Sequence, residues 1–395
     1  MNSTRIVVTL LCLVPTCVCF SQEPDLNKPE EARNRSVTNR NRRPPGEEFA
    51  GRPVTVSQLE EEVKRQVGRR DGAAEKDLYR LQLTERLSTA RLATLKAQLS
   101  GAKTRAALTE LADASAFLNL PADEIPATPK PDIPEQRHIL ALAVDYLSKT
   151  IPRLPNFYAL RTTVRYEDTV ELANNSAVSV ASNEPMREAG ASTASVIYRD
   201  HQEVVDATPG KKRAGYDAAL MTRGTFGPIL STSIVDAAHG VTTFSHWEQG
   251  AGGLEAVFKF KVAKDQSHYL VAYARSGMGS QAPEQSTAYH GEIALDPATG
   301  TILRLALVSD PELDSPMLQA NVMVEYGQVE IGGKQYTCPV KSVSLLQGRA
   351  ALPGYSYSFA GRFTRINDVA FSDYHMFRTE MRLITDDSQA APQKP

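Results

Sequence analysis

The sequence predicts an α+β fold in which an N-terminal module of short helices packs on a large, curved antiparallel β-sheet of half-barrel-like shape. Two patterns lead to this prediction. Apolar residues recur every three or four positions over residues 54–152, which is typical of amphipathic helices. After Pro155 the period becomes two, and many short runs of this kind follow, with tight turns between them.

The composition divides the chain into five segments. We predict a signal peptide at 1–21, a disordered leader at 22–52, a helical module at 53–152, an antiparallel β domain at 153–385 and a disordered tail at 386–395. Arg5 precedes a short apolar run that ends at Val14, which is typical of a secretory signal. We therefore expect export to the periplasm or the extracellular space and no transmembrane segment in the mature chain. Cleavage after Ser21 is preferred, and cleavage after Cys19 is the alternative.

Four amphipathic stripes define the helical module. The first begins near a possible capping box of Ser57 and Glu60, and the second and third cover residues 78–99 and 107–118. A proline-rich stretch leads to the fourth stripe, at residues 139–147. Because short isolated helices are marginal in water, we expect the module to pack against the β domain. A self-contained four-helix bundle is the alternative.

Alternating runs and turn residues define the β domain. Two hairpins are well marked, at the turn of residues 296–300 and at Gly332-Gly333, and one insertion, residues 227–238, is interpreted as helical. We predict strands at 160–167, 195–200, 241–247, 256–262, 268–274, 291–295, 301–308, 321–326, 336–343, 355–365 and 376–384. Strands in such number, joined by short turns, favour one large antiparallel sheet.

Charge, cysteines and motifs exclude several classes of function. The net charge of −2 provides no basic surface for nucleic acid. Of the 4 cysteines, Cys12, Cys17 and Cys19 leave with the signal peptide, so Cys338 remains without an intramolecular disulfide partner. Cys338 lies inside a predicted strand, where we interpret it as a small apolar residue and not as a nucleophile. No nucleotide-binding loop or hydrolase motif occurs, so we expect no cofactor.

Two groups of residues are candidates for a site. Aromatic side chains cluster near one predicted strand and could line an apolar ligand-binding cavity or form ordinary core: Phe244, Trp247, Phe258 and Phe260. A metal site would need four residues that lie in or near strands: His246, Glu248, His268 and His290. Their spacing matches no ligand signature, so we interpret them as scattered residues of a half-solvated sheet.

Several phrases of the chain resemble those of a family of uncharacterised exported proteins from acidobacteria. They include LPNFYALRTTVRYED, FSHWEQG, GEIALDPATGTILRL and VEYGQVEIGGKQYTCPVKSVS. The last two are also similar to the sheet of periplasmic lipoprotein-carrier and sigma-regulator sensor folds, in which a curved antiparallel sheet cradles acyl chains. This resemblance implies a binding or carrier module of the cell envelope for lipid, another apolar ligand or an envelope protein. It assigns no site residue.

Two other classes of function stay open at this point. A hydrolase of unknown substrate could use the polar residues near His246 and Glu248, and a structural envelope protein would need no small ligand. Because no catalytic motif supports the hydrolase, an enzyme is the less favoured hypothesis.

Overall fold

The computed structural model describes residues 51–168, 185–199, 202–205, 233–237, 240–271, 285–313, 315, 317–351 and 359–376. The predicted signal peptide, the leader up to residue 50, the tail and the last predicted strand after Met376 lie outside these ranges. Most of the predicted helical insertion also lies outside them, although residues 233–237 form a helical turn. No helix in the described part of the chain is long and apolar enough to cross a membrane.

Five α-helices form the described part of the helical module. They are α1 (Val56–Gln66), α2 (Asp71–Leu78), α3 (Thr89–Ala97), α4 (Ala102–Ala114) and α5 (Ile133–Thr150). The capping box of α1 is formed by Thr55 and Gln58, and the side-chain oxygen of each accepts a hydrogen bond from the backbone N–H of the other. The predicted box of Ser57 and Glu60 is therefore wrong.

The second predicted stripe is helical only in part. Residues Leu81–Leu83 form a short strand, β2, that pairs in parallel with β1 (Arg52–Val54). All three residues of β2 are buried. A short apolar run of this kind looks alike in a buried strand and a buried helix, which explains the error.

A ten-stranded sheet forms the second part of the fold. Its strands, with the separate pair β8–β9, are β3 (Phe157–Glu167), β4 (Arg187–Arg199), β5 (Gln202–Val205), β6 (Val241–Gly250), β7 (Gly253–Val262), β8 (Leu270–Val271), β9 (Gln285–Ser286), β10 (Ala288–Leu295), β11 (Ile302–Asp310), β12 (Met317–Ile331), β13 (Lys334–Ala351) and β14 (Phe359–Met376). The order is β5-β4-β3-β14-β13-β12-β11-β10-β7-β6, and all neighbours are antiparallel. The predicted fold class is confirmed, and the sheet formed by the described strands is open, with β5 and β6 at its edges.

Both predicted hairpins are confirmed. Gly300 closes the turn between β10 and β11, where its N–H donates to the Asp296 carbonyl over 2.9 Å. Gly332 and Gly333 join β12 to β13 with φ angles of 61° and 81°. Two successive positive φ angles are typical of the type I′ turn, whose twist matches that of the strands.

Helices lie against both faces of the sheet. Leu305 belongs to the same buried cluster as Ile139 and Leu147 of α5. The next residue, Ala306, belongs to a different cluster, which contains Ala116, just after α4. Successive residues of a strand point to opposite faces, so α5 covers one face and α4 the other. We call them the α5 face and the α4 face. The expectation that the helices pack on the sheet is confirmed.

The connection between α4 and α5 passes around the β6 edge of the sheet. Asn119 Oδ1 accepts a hydrogen bond from Lys259 Nζ on the α4 face at 3.4 Å. Ten residues later, the Pro129 carbonyl accepts from Trp247 Nε1 at 2.8 Å. The proline-rich segment therefore carries the chain from one face to the other and brings α5 onto its own face.

Candidate functional site

Strand β6 carries four of the predicted site residues, two on each face. A β-bulge between Phe244 and His246 shifts the alternation of the strand by one residue. Phe244 and Trp247 therefore lie on the α5 face, whereas His246 and Glu248 lie on the α4 face. The edge strand thus connects an aromatic surface on one side with a polar surface on the other.

The four predicted ligand-binding aromatic residues lie together on the α5 face. The Phe244 ring centroid is 5.3 Å from that of Trp247 and 5.6 Å from that of Phe258, both in edge-on geometry. Phe260 stands edge-on to Tyr289 at 5.9 Å. All four are buried. We call Phe244, Trp247, Phe258 and Phe260 the aromatic seam.

Helix α5 covers the aromatic seam. Ile139, Ala143 and Leu147 belong to the same buried cluster as the four aromatic residues. The hydrogen bond from Trp247 to Pro129 ties down the chain just ahead of the helix. In this conformation the seam is therefore packed interior, and a ligand could reach it only if α5 moved.

A pocket lies beneath the C-terminal half of α5. Its volume is about 20 Å³, enough for one water molecule. Its lining is largely apolar or aromatic and comes from α5, the following segment, β3, β11, β12 and β13: Tyr146, Leu147, Thr150, Leu154, Phe157, Ile302, Tyr326, Thr337, Cys338 and Pro339. Leu147, Ile302 and Tyr326 line this pocket and belong to the same buried cluster as the aromatic seam, so the two are parts of one continuous apolar region under the helix.

The α4 face carries a buried ionic cluster that joins the helices to the sheet. Arg86 Nη2 and Arg304 Nη2 each lie 2.7 Å from the same carboxylate oxygen, Glu248 Oε2. The side chains of both arginines are only 8% exposed and that of Glu248 is 14% exposed. We call Arg86, Glu248 and Arg304 the ionic seam. Hydrogen bonds between a carboxylate and guanidinium groups are strong, so this cluster firmly joins the helical module, through Arg86, to the sheet.

The charges of the ionic seam set the protonation of the glutamates near it. Burial opposes ionisation of Glu248, but the neighbouring His246 ring and the charges of Arg304 and Arg86 hold its pKa well below the usual range. Glu255 lies opposite Glu248 on β7, and burial, together with the Glu248 charge, raises the pKa of Glu255 to about 7. Glu248 therefore remains an anion, while Glu255 titrates near neutral pH.

A second group of charges, built around the buried Asp113 side chain and the partly buried Lys341, extends this polar region. Lys341 Nζ lies 2.6 Å from Asp113 Oδ1 at the end of α4 and 3.6 Å from Asp368 Oδ1. Burial raises the pKa of Asp113 to about 7, although the Lys341 charge opposes the shift. Between this group and the ionic seam lies a polar cavity of about 60 Å³. Its lining includes equal numbers of cationic and acidic side chains, so it selects no single charge.

The four residues considered as metal ligands, and interpreted from the sequence as scattered, do not come together. His246 Nε2 lies 3.8 Å from Glu248 Oε2. His268 Nδ1 instead contacts Asp236 Oδ1 at 2.6 Å, and His290 Nδ1 contacts Asp310 Oδ2 at 3.0 Å. Among the described residues, no three His, Cys, Asp or Glu side chains form a group that could hold a metal.

Sequence reasoning missed the residues of the ionic seam other than Glu248. Arg86 and Glu248 are separated by 162 positions, and no spacing rule connects them. A signal was nevertheless present, because Arg304 interrupts the apolar strand β11 and Lys341 interrupts β13. A charged side chain at an apolar position is rarely buried unless it is paired.

The site and fold define an α+β protein with an open antiparallel sheet covered by helices on both faces. No protein-family description matches the chain, and no curated protein matches it. One solved structure, a DUF1329 family protein from Desulfovibrio piger, is similar to it at 9% identity, with 61% of this chain and 92% of that chain covered. The TM-score is 0.21, too low to support an argument about either protein.

Proposed function

We propose that this protein is an exported binding or carrier module of the cell envelope, and that it holds an apolar ligand between α5 and the sheet. The observation that carries this proposal is the continuous apolar surface formed by the aromatic seam and the pocket beneath α5. Aromatic side chains offer large apolar areas, and sites for apolar ligands are concave surfaces of this composition.

The way α5 is held supports a role as a cover. The helix buries one stripe, formed by Gln136, Ile139, Ala143 and Leu147. Its opposite side faces solvent, where Val144 is 55% exposed. A single helix with one buried stripe can separate from the sheet at a lower cost than a strand, because no backbone hydrogen bonds of the sheet are broken. A ligand that fills the space would then cover the apolar side chains of the sheet in place of the helix.

The hydrolase alternative has less support from the geometry. Glu248 would have to accept or donate a proton, but its carboxylate is held by two arginines and its pKa lies well below the usual range. A general base works best when its pKa is near the working pH. The ionic seam is better suited to hold the helices on the sheet.

Extraction of the protein purified from its native host tests the binding proposal. We expect mass spectrometry of the organic extract to show an apolar compound in stoichiometric amount. Leu147→Phe enlarges a side chain that faces the pocket and should reduce the amount of this compound. Val144→Phe makes the matched change on the solvent side of α5 and should leave it unchanged. Equal amounts from all three proteins, or no apolar compound from any of them, would contradict the proposal.

N-terminal sequencing of the mature protein tests the export proposal. Cleavage after Ser21 would give a chain that begins with Gln22. A mature protein that still begins with Met1 would contradict export.

A further inference from the structure

One residue that lines the pocket beneath α5 has a side-chain hydroxyl without a hydrogen-bond partner among the described residues. Tyr326 on β12 is 9% exposed, and its buried hydroxyl makes no hydrogen bond to any of them. A second tyrosine near the pocket, Tyr374, donates its hydroxyl to the Pro339 carbonyl. Buried polar groups are nearly always hydrogen-bonded, and an unpaired one costs about 1–3 kcal/mol. The Tyr326 hydroxyl therefore requires a partner.

The chemistry of the pocket restricts that partner to a neutral acceptor. Burial raises the pKa of Tyr326 far above its usual range, so its hydroxyl is a donor at neutral pH. Within the described part of the chain, no lysine, arginine or histidine lines the pocket. A carboxylate would therefore be desolvated there without a countercharge, which is costly. The carbonyl oxygen of an ester or amide can accept the hydrogen bond at no such cost.

We propose that the ligand is a neutral acyl compound whose ester or amide carbonyl accepts a hydrogen bond from Tyr326. This inference rests on the proposed function, because the same movement of α5 must admit the ligand. The carbonyl lies in the pocket near Tyr326, and the acyl chain follows the apolar surface toward the aromatic seam. Tyr326 thus selects acyl esters and amides over hydrocarbons, and the uncharged lining selects them over free fatty acids.

A set of ligands with equal chains tests this selection. We would measure the binding of methyl laurate, the alkane of equal length and laurate anion to the full chain by displacement of the apolar probe N-phenyl-naphthylamine. The wild type should bind methyl laurate most tightly. Equal affinities for methyl laurate and the alkane would overturn the inference and would indicate that water alone satisfies Tyr326. A preference for laurate would also overturn it.

Two variants test the hydroxyl itself. Tyr326→Phe should weaken the binding of methyl laurate by about threefold to tenfold, as expected for one hydrogen bond, and leave the alkane unchanged. Tyr269→Phe removes a hydroxyl from the α5 face outside the pocket, where it donates to the Ala320 carbonyl, and should not change the preference. If Tyr326→Phe retains the wild-type preference, the inference is wrong. If the variant does not fold, the wild-type ligand series still decides.

The outcomes distinguish this inference from the proposed function. If neither the probe nor any of the three compounds binds the wild type, the apolar site itself is wrong. If the probe and the compounds bind but show no preference for methyl laurate, the site stands and the role of Tyr326 is refuted.

Discussion

Gly300, in the turn between β10 and β11, lies against the backbone of α5. Its φ angle is 70°, and a Cβ atom there would lie 2.2 Å from the Leu142 carbonyl carbon and 2.4 Å from the Ala143 nitrogen. Both atoms belong to the helix backbone and cannot rotate away. We therefore expect Gly300→Ala to push α5 and the β10–β11 turn apart.

Two costs contribute to the effect of this substitution. A left-handed φ at alanine costs roughly 1–2 kcal/mol. Separation of the helix from the sheet further exposes Ile139 and Leu147, and burial of such a side chain contributes about 1.5–3 kcal/mol. Partial exposure of both side chains should add about 2–4 kcal/mol to the first cost.

Gly333→Ala is the matched control. Its φ angle of 81° carries the same left-handed cost, but its Cβ would meet no atom within 4 Å. We would measure the free energy of unfolding of both variants by denaturant titration, together with the emission maximum of Trp247. Gly300→Ala should be the less stable by at least about 2 kcal/mol, and its Trp247 emission should shift to longer wavelength. Equal losses of stability in the two variants would refute the close docking of α5.

Two further predictions concern the α4 face. Burial raises the pKa of Glu110 from 4.5 to about 8, so the folded state binds this proton more tightly than the unfolded state. The stabilisation that comes from this tighter proton binding is complete below about pH 4.5 and is lost as the pH rises to about 8. The free energy of unfolding should therefore fall by a few kcal/mol across that range. In denaturant titrations, Glu110→Gln should make this fall smaller. In a double-mutant cycle, removal of Glu248 should cost about 3–5 kcal/mol because it leaves the buried Arg86 without its carboxylate, whereas removal of Arg86 should cost less because Glu248 keeps Arg304. The coupling of Arg86 and Glu248 should exceed that of the exposed pair Lys149–Asp145. A coupling as small as that of the exposed pair would contradict the ionic seam.

The sequence was a good guide wherever a local rule applies. The turns at residues 296–300 and 332–333 carry glycines that favour positive φ angles, and the strands joined by them pair as predicted. The helical stripes were also visible, because the apolar period of a helix depends on near neighbours. Leu81–Leu83 was misread because its pairing with β1 depends on residues far away in the chain.

The site was predictable only in part for the same reason. The aromatic seam was recognised as a cluster because its four members lie in or near two consecutive predicted strands, 241–247 and 256–262, which pair as β6 and β7. Arg86 and Tyr326 were missed because their importance depends on their surroundings in the folded chain. Arg86 meets Arg304 at one carboxylate, that of Glu248. The Tyr326 hydroxyl has no hydrogen-bond partner among the described residues. A strand pattern shows which face a side chain occupies but not its hydrogen bonds.

Fluorescence of the intrinsic tryptophan tests the apolar site most directly. Trp247 is the one tryptophan in the chain, and it lies in the aromatic seam under α5. Titration with methyl laurate below its solubility limit should change the Trp247 emission in a saturable manner, at one ligand per protein. An emission that stays constant while an independent calorimetric titration detects binding would place the ligand elsewhere and contradict the account.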